Sequence, residues 1–367
     1  MMRKVRHVLG ISGGKDSAAL AIFLKRVSPE LNIEYYFCDT GKELDETYAV
    51  VNSLEVFLGK KIIRLTAAEN THLDTAFDHF LKYKTKFLPS SFNRWCTKNL
   101  KLDPFEKWIG EDQAISYVGI RGDEDREGYI SKKGNIQSIF PFRRNIWSED
   151  VITRVLKNDS IDTLLQFYYN TKLIITDRIK EVIVEPLSPR NRMFDKLDSL
   201  LSISTSTFNE VVFQFLRKSH FPVGALEQYS LLQNEDNLNR DDIFQILTDS
   251  GIGIPKYYQK VEFEIDGEKG YYSRSRSGCF FCFYQQKIEW VWLYEQHPEL
   301  FIKAMEYEKD GYTWHQDEPL SDLIRPERIA QIKREYINRT NRNITKSPYL
   351  LDILEESEGE GCAACFI

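Results

Sequence analysis

The residues Ser12-Gly13-Gly14-Lys15-Asp16-Ser17 join an apolar run that ends at Ile11 to a second apolar run beginning at Ala18. A glycine-rich turn from a strand into a helix gathers unpaired backbone N–H groups and the positive end of the helix dipole at one point, which favours an anion. Gly13 and Gly14 would let the backbone approach that anion, and Lys15 adds a cation. The spacing is not Gly-x-x-x-x-Gly-Lys-Ser/Thr, which disfavours a Walker-type NTPase. Two other segments carry suitable chemistry. In Cys38-Asp39-Thr40-Gly41-Lys42-Glu43, Asp39 could bind a ribose hydroxyl or a magnesium ion while Gly41 permits the turn; the same residues could be a plain helix cap. In Val118-Gly119-Ile120-Arg121-Gly122-Asp123-Glu124-Asp125-Arg126, Arg121 offers a planar fork for phosphate. Arg126 could pair internally with Asp123 or Asp125.

The chain has six cysteines, and in a long chain with cytosolic character that usage points to metal or redox chemistry. Cys38 lies in an apolar strand and reads as a buried thiol. Cys96 sits among Arg94, Lys98 and Lys101, positive charge that favours the thiolate. Cys279-Phe280-Phe281-Cys282 presents two sulfurs to one ion, with Arg274 and Arg276 beside them and Phe283 adding an apolar shield. Cys362 and Cys365 form a second pair after the acidic run Glu355 to Gly361, a tether able to fold back. A closed zinc site would use Cys279, Cys282, Cys362 and Cys365. A [4Fe–4S] cluster could use Cys96, Cys279, Cys282 and one tail cysteine.

The elements that must position these residues follow from periodicity. Strands at 5–11, 33–38 and near 61–65, helices at 16–27 and 43–58, and a further strand at 115–120 alternate through the first part of the chain. Such alternation predicts an α/β fold with a parallel twisted sheet flanked by helices, and ligands at the carboxyl ends of its strands. Ser12, Asp39 and Arg121 all follow strand ends. Three regions are expected: an α/β nucleotide-binding domain over 1–150, a helical insertion over 151–240, and a C-terminal region over 241–367 with the cysteines. No run of apolar residues is long enough for a membrane span, and no cleavable leader precedes the first strand, so a cytoplasmic protein is expected. With 367 residues and a net charge of −6, the whole molecule has no electrostatic grip on nucleic acid, and any such contact must be local or shared.

Ser-Gly-Gly-Lys-Asp-Ser resembles the pyrophosphate (PP) loop of the adenine nucleotide α-hydrolase superfamily. Thr40-Gly41 followed by Glu46-Thr47 resembles the phosphoadenosine phosphosulfate (PAPS) reductases. Arg94-x-Cys96-Thr97 with Leu100-Lys101 is similar to PAPS-reductase-like proteins of DNA phosphorothioation, called DndC or SspD; Gly119-Ile120-Arg121-x-Asp123-Glu124 resembles a stretch of the superfamily, and Pro141 followed by Trp147-Ser148 and Asp150-Val151 also resembles the family. Cluster-bearing sulfonucleotide reductases have two adjacent cysteines where this chain has Cys96 alone. The resemblance implies an ATP pyrophosphatase of a sulfur-modification and phage-defence system. In it ATP is split to AMP and pyrophosphate so that a DNA backbone phosphate is activated for sulfur insertion. It implies a nucleotide held by Ser12, Gly13, Gly14, Lys15, Asp16, Ser17, Asp39, Thr40, Gly41, Gly119 and Arg121. Lys15, Asp16, Arg121 and Cys96 would be catalytic. Mg2+, a [4Fe–4S] cluster or alternatively Zn2+, DNA, a cysteine desulfurase and other phosphorothioation proteins complete the picture. A sulfonucleotide reductase using a tail cysteine, and a non-catalytic nucleotide-sensing subunit, are the alternatives.

Overall fold

The computed structural model describes residues 5–68, 73, 75–124, 130–309, 311–315 and 318–346. Strands β1 (Arg6–Gly10), β2 (Ile33–Cys38), β3 (Ile62–Leu65), β4 (Ala114–Tyr117) and β5 (Ile136–Ile139) form one parallel sheet in the order β3-β2-β1-β4-β5. This is the α/β sheet expected from the sequence, with β5 added at one edge.

Alternation along each strand divides its side chains between two cores, as the pleat requires. Leu9, Tyr35, Phe37, Ile115 and Tyr117 face one apolar layer. Val8, Tyr36, Cys38 and Ala114 face the other, against Phe105 and Ile109 of α5 (Asp103–Ile109). The first layer holds α1 (Lys15–Val27) and α2 (Asp45–Leu58). Helix α1 is buried from Lys15 through Leu24, which its three alanines make possible by allowing close approach.

Short helices α3 (Ala76–Phe80) and α4 (Trp95–Thr97) each run into a π-helical turn, Leu81–Thr85 and Lys98–Leu102 respectively. The stretch after β5 is helical: α6 (Glu149–Leu156), α7 (Ile161–Tyr169), α8 (Asp177–Val184), α9 (Met193–Ile203) and α10 (Thr205–Leu216). These helices share the core of the first sheet layer, with Leu164, Phe208, Val211 and Leu216 in the same cluster as Leu9 and Phe23. The buried Trp147 donates its indole N–H to Asn209 Oδ1 at 2.8 Å, fastening α10 to the end of the sheet domain. Ser148 stands at the N-cap of α6 as its sequence suggests, but its side chain makes no capping hydrogen bond.

Helix α11 (Arg240–Asp249) returns to pack on α1. Beyond it, strands β6 (Val261–Ile265) and β7 (Glu268–Tyr272) form a hairpin whose Asp266-Gly267 turn has both φ angles positive, as a tight two-residue turn demands. Helices α12 (Lys287–Gln296), α13 (Pro298–Met305), α14 (Leu320–Leu323) and α15 (Pro326–Lys346) complete the described residues. Their aromatic core joins Trp290, Phe301 and Trp314 to Phe77, Trp95 and Phe281. Among the described residues no helix is long and apolar enough to cross a membrane.

Candidate functional site

In the strand order β3-β2-β1-β4-β5, chain connections leave β1 toward one edge first and reach β4 on its other side later. The crevice at a sheet's ligand-binding edge therefore lies between the ends of β1 and β4. Ser12 to Ser17 follow β1 and Arg121 follows β4, so both flank that crevice. Gly14 is the N-cap residue of α1 and has no side chain to cap it. The loop is folded by its own serines: Ser12 N–H donates to Ser17 Oγ at 3.1 Å, and Ser17 Oγ donates to Gly14 O at 3.2 Å. The amides nearest the helix start are held only weakly. Gly14 N reaches Ser12 Oγ at 3.4 Å and Lys15 N reaches the Tyr258 hydroxyl at 3.5 Å, both at the long limit of a hydrogen bond. An incoming anion could take over either donor.

Gly13 has φ +72°, and a Cβ built there would meet Thr47 Cγ2 of α2 at 2.4 Å. At Gly14 a Cβ would meet Ser277 Oγ at 2.5 Å. The glycines are thus demanded by protein neighbours on both sides of the loop. Tyr257 closes the same cover by donating from its hydroxyl to Gly13 O at 2.7 Å. The C-terminal half of the chain roofs the loop built by the N-terminal strand, a role for Tyr257, Tyr258 and Ser277 that the sequence reading did not reach.

Lys15 and Arg121 are buried and are brought together through one carboxylate. Lys15 Nζ lies 3.1 Å from Asp16 Oδ2, and Arg121 Nη1 lies 3.1 Å from Asp16 Oδ1. Arg121 also meets Asp123 at 2.8 Å and Glu124 at 2.6 Å. The expected phosphate fork is therefore engaged by three carboxylates, two of them only two and three residues further along the chain. A burial this deep requires pairing, because an unpaired guanidinium would carry a large desolvation cost. Gly119 packs against the backbone of Asp16, with space for no Cβ. Arg126 lies outside the described residues.

Asp39 folds into its own turn, accepting from Gly41 N at 2.9 Å and from the Tyr48 hydroxyl at 2.8 Å. Thr40 Oγ1 donates to Glu43 Oε1 at 2.8 Å and lies 3.3 Å from Cys279 Sγ. Glu43 is buried, which raises its carboxyl above the ordinary range, and the Asp39 charge adds to that. Backbone contacts pin the cysteine turn here: Phe280 N donates to Lys42 O, and Glu43 bridges Cys279. Asp39, Thr40 and Gly41 accordingly stand between the sheet edge and the sulfurs.

Cys96, Cys279 and Cys282 line one small cavity together with Thr40, Lys101, Ser277, Phe281 and Tyr284. Burial pushes the Cys279 and Cys282 thiols up, while the Lys101 ammonium pulls both down. Cys38 is the inert thiol expected: burial raises it to about 12, and it donates to Lys101 O at 3.5 Å. Arg274 is buried behind the Cys279–Cys282 turn, donating from Nη2 to Cys279 O at 3.0 Å. Among the described residues no three Cys, His, Asp or Glu side chains stand close enough to share one ion. The three sulfurs surround a cavity without forming a ligand set, and Cys362 and Cys365 lie outside the described residues.

Residues 6–157 match the family model of the phosphoadenosine phosphosulfate reductase domain. The chain is 35% identical over 147 residues to the uncharacterized protein MJ0066 of Methanocaldococcus jannaschii, covering 36% of this chain and 28% of that protein. It is 23% identical over 246 residues to the uncharacterized protein MJ0973 of the same organism, covering 61% of this chain and 54% of that protein. The matched part is thus about a quarter of one relative and about half of the other. No solved structure matches. The strands, the Ser12 to Ser17 loop and Arg121 all fall within the matched span, so it is to the phosphoadenosine phosphosulfate reductase domain that this part of the chain, with its candidate site, is similar.

Proposed function

We propose that this protein is an ATP pyrophosphatase acting in DNA phosphorothioation, splitting ATP to AMP and pyrophosphate and activating a backbone phosphate oxygen for replacement by sulfur. The observation that carries the reading is the convergence of Lys15, Asp16 and Arg121 on the weakly held amides of the Ser12 to Ser17 loop.

A nucleotide phosphate entering that loop exchanges two long hydrogen bonds for short charge-assisted ones. When an oxygen nucleophile attacks the α-phosphorus, the bond from that phosphorus to the bridging oxygen breaks and negative charge builds on the departing pyrophosphate. Lys15 and Arg121 stabilise that charge once Asp16, Asp123 and Glu124 yield them in part to the phosphates. Asp16 holds the two cations in register before substrate arrives. Mg2+ belongs to this reading as a counter-ion of the phosphates. Cys96, Cys279, Cys282 and one of Cys362 or Cys365 are the residues it assigns to a [4Fe–4S] cluster, with zinc as the alternative. DNA, a cysteine desulfurase and other phosphorothioation proteins are its partners.

A second reading, sulfonucleotide reduction, is favoured by the domain family itself. The products separate the two. Anaerobically isolated protein should release pyrophosphate from ATP and no sulfite from an adenylyl sulfate, and Lys15→Ala should reduce that release at least about a hundredfold while the protein stays folded. Unaltered release by a folded Lys15→Ala protein, or sulfite formation alone, would overturn the assignment. Iron with broad absorbance near ~400 nm supports the cluster, whereas colourless protein with stoichiometric zinc supports the closed site.

A further inference from the structure

The molecule carries a net charge of −6, yet from His79 to Leu102 it contains no acidic residue and six cations: Lys82, Lys84, Lys86, Arg94, Lys98 and Lys101. This segment leads from the outer surface to the sulfur cavity. Lys82, Lys84, Lys86, Arg94 and Lys98 are exposed, whereas Lys101 lines the cavity. The two π-helical turns belong to it, and local π geometry is concentrated at functional positions. Lys86 closes the first turn at φ 64°, a conformation that favours glycine or asparagine, so a lysine is kept there at a cost in backbone strain.

Aromatic rings are interleaved with the cations. Phe92 is 89% exposed, Tyr83 55% and Tyr312 52%. Burial would ordinarily claim such rings, and here they stand in solvent beside like charges. Two rings of the segment, Trp95 and Phe87, are tied to the fold. Trp95 Nε1 donates to Phe87 O at 3.0 Å, Trp95 stacks on Phe77, and Phe87 stacks on Tyr312. At the mouth of the cavity the Tyr284 ring has Arg94 over it at 5.1 Å and Arg276 at 5.6 Å.

We propose that the segment from Lys82 to Lys101 is a docking face for a single-stranded stretch of nucleic acid, gripped along its phosphates by the lysines and stacked through its bases on Phe92 and Tyr83. Cations alone would suit any polyanion; solvent-exposed aromatic faces among them suit bases freed from a duplex. The face ends at Cys96 and the cavity, so a strand held there passes the sulfurs. The inference deepens the proposed function and rests on it only for the bound strand being the substrate.

The test uses the full chain and a fluorescent oligothymidylate of about 20 nucleotides, with binding followed by anisotropy across a range of salt. Wild type should bind with affinity that falls as salt rises. Replacing Lys82, Lys84 and Lys86 together by Gln should weaken binding at least about tenfold and make the slope of log affinity against log salt shallower by about 2. Phe92→Ala should weaken it about tenfold with the slope unchanged. Circular dichroism and ATP-dependent pyrophosphate release without oligonucleotide should match wild type in both variants.

The proposal is overturned if wild type fails to bind, or if the lysine variant binds with wild-type affinity and slope. It is equally overturned if polyglutamate displaces the strand as well as unlabelled oligonucleotide does, which would make this an acidic-protein face. Duplex binding equal to single-strand binding, with no effect of Phe92→Ala, removes the single-strand assignment. Lost binding with pyrophosphate release intact defeats this inference alone, and absent release with intact binding defeats the proposed function alone.

Discussion

Arg121, which we propose as a phosphate ligand, is already engaged by carboxylates in the folded chain. Its guanidinium meets Asp16, Asp123 and Glu124, and Asp16 also holds Lys15, so the cations are stored in a neutralised network beside the loop. The presence of Arg121 after a strand was legible in the sequence, and so were the neighbouring Asp123 and Glu124. That they would turn back on the arginine was not, because it depends on the backbone path after β4. Gly13 poses the reverse case. Its need for glycine was readable, but the reason lies in Thr47 and a left-handed φ. Gly13→Ala should therefore cost stability of about 1–3 kcal/mol through strain and overlap, and weaken ATP binding along with it. Chemical denaturation and nucleotide titration would check both; a variant as stable as wild type would mean that the loop is looser than its geometry.

At the scale of elements, the first four strands and two helices were legible chiefly from apolar runs: Val8-Leu9 in β1, Tyr35 to Cys38 in β2, Ile115 with Tyr117 in β4, and Ala18 to Leu24 in α1. Strand β5, Ile-Gln-Ser-Ile, is only four residues long and wholly buried with two polar side chains, so it carries no such signature. Gln137 Oε1 accepts from Val223 N at 3.0 Å, a contact between residues far apart in sequence, while its buried Nε2 has no hydrogen-bond partner among the described residues. The C-terminal elements pack through the aromatic core shared with Phe77, Trp95 and Phe281, and are further tied by polar contacts that no local pattern announces. Glu318 binds Arg328 of α15 through two hydrogen bonds of 2.7 and 2.9 Å and Lys287 of α12 at 2.7 Å.

Hydrogen bonding from Arg328, ahead of that from Lys287, lowers the Glu318 carboxyl from the ordinary 4.5 to about 2, although partial burial opposes the shift. A depressed folded-state value means stability that is present above the unfolded value and lost as pH falls from 4.5 toward 2. Glu318→Gln should accordingly destabilise the protein by about 1–3 kcal/mol at neutral pH, with the difference from wild type shrinking below about pH 3. Denaturation midpoints across that range measure it, and a pH-independent difference would assign the effect to packing instead.

Over the whole molecule, the Ser12 to Ser17 loop and the cysteine turn are one assembly contributed by chain segments more than two hundred residues apart. Ser277 both covers Gly14 and lines the sulfur cavity, while Thr40 touches Cys279 from the sheet edge. Tyr257 is the most direct mechanical link, since its buried hydroxyl is bonded to Gly13 O at 2.7 Å and its backbone carbonyl accepts from Arg274 N at 2.9 Å. Arg274 in turn holds the carbonyl of Cys279. A chain of this kind predicts that disturbing the roof will be felt at the loop. Tyr257→Phe keeps the ring and its packing but leaves the Gly13 carbonyl buried without its donor, a loss of about 1–3 kcal/mol. If the roof sets the loop's conformation, ATP affinity should fall several-fold in step with stability, and the accessibility of Cys279 and Cys282 to a thiol reagent should rise. Calorimetric titration with a non-hydrolysable ATP analogue, together with the rate of thiol modification, tests the coupling. Loss of stability with unchanged affinity and unchanged thiol reactivity would show that the C-terminal half merely covers the loop and does not shape it.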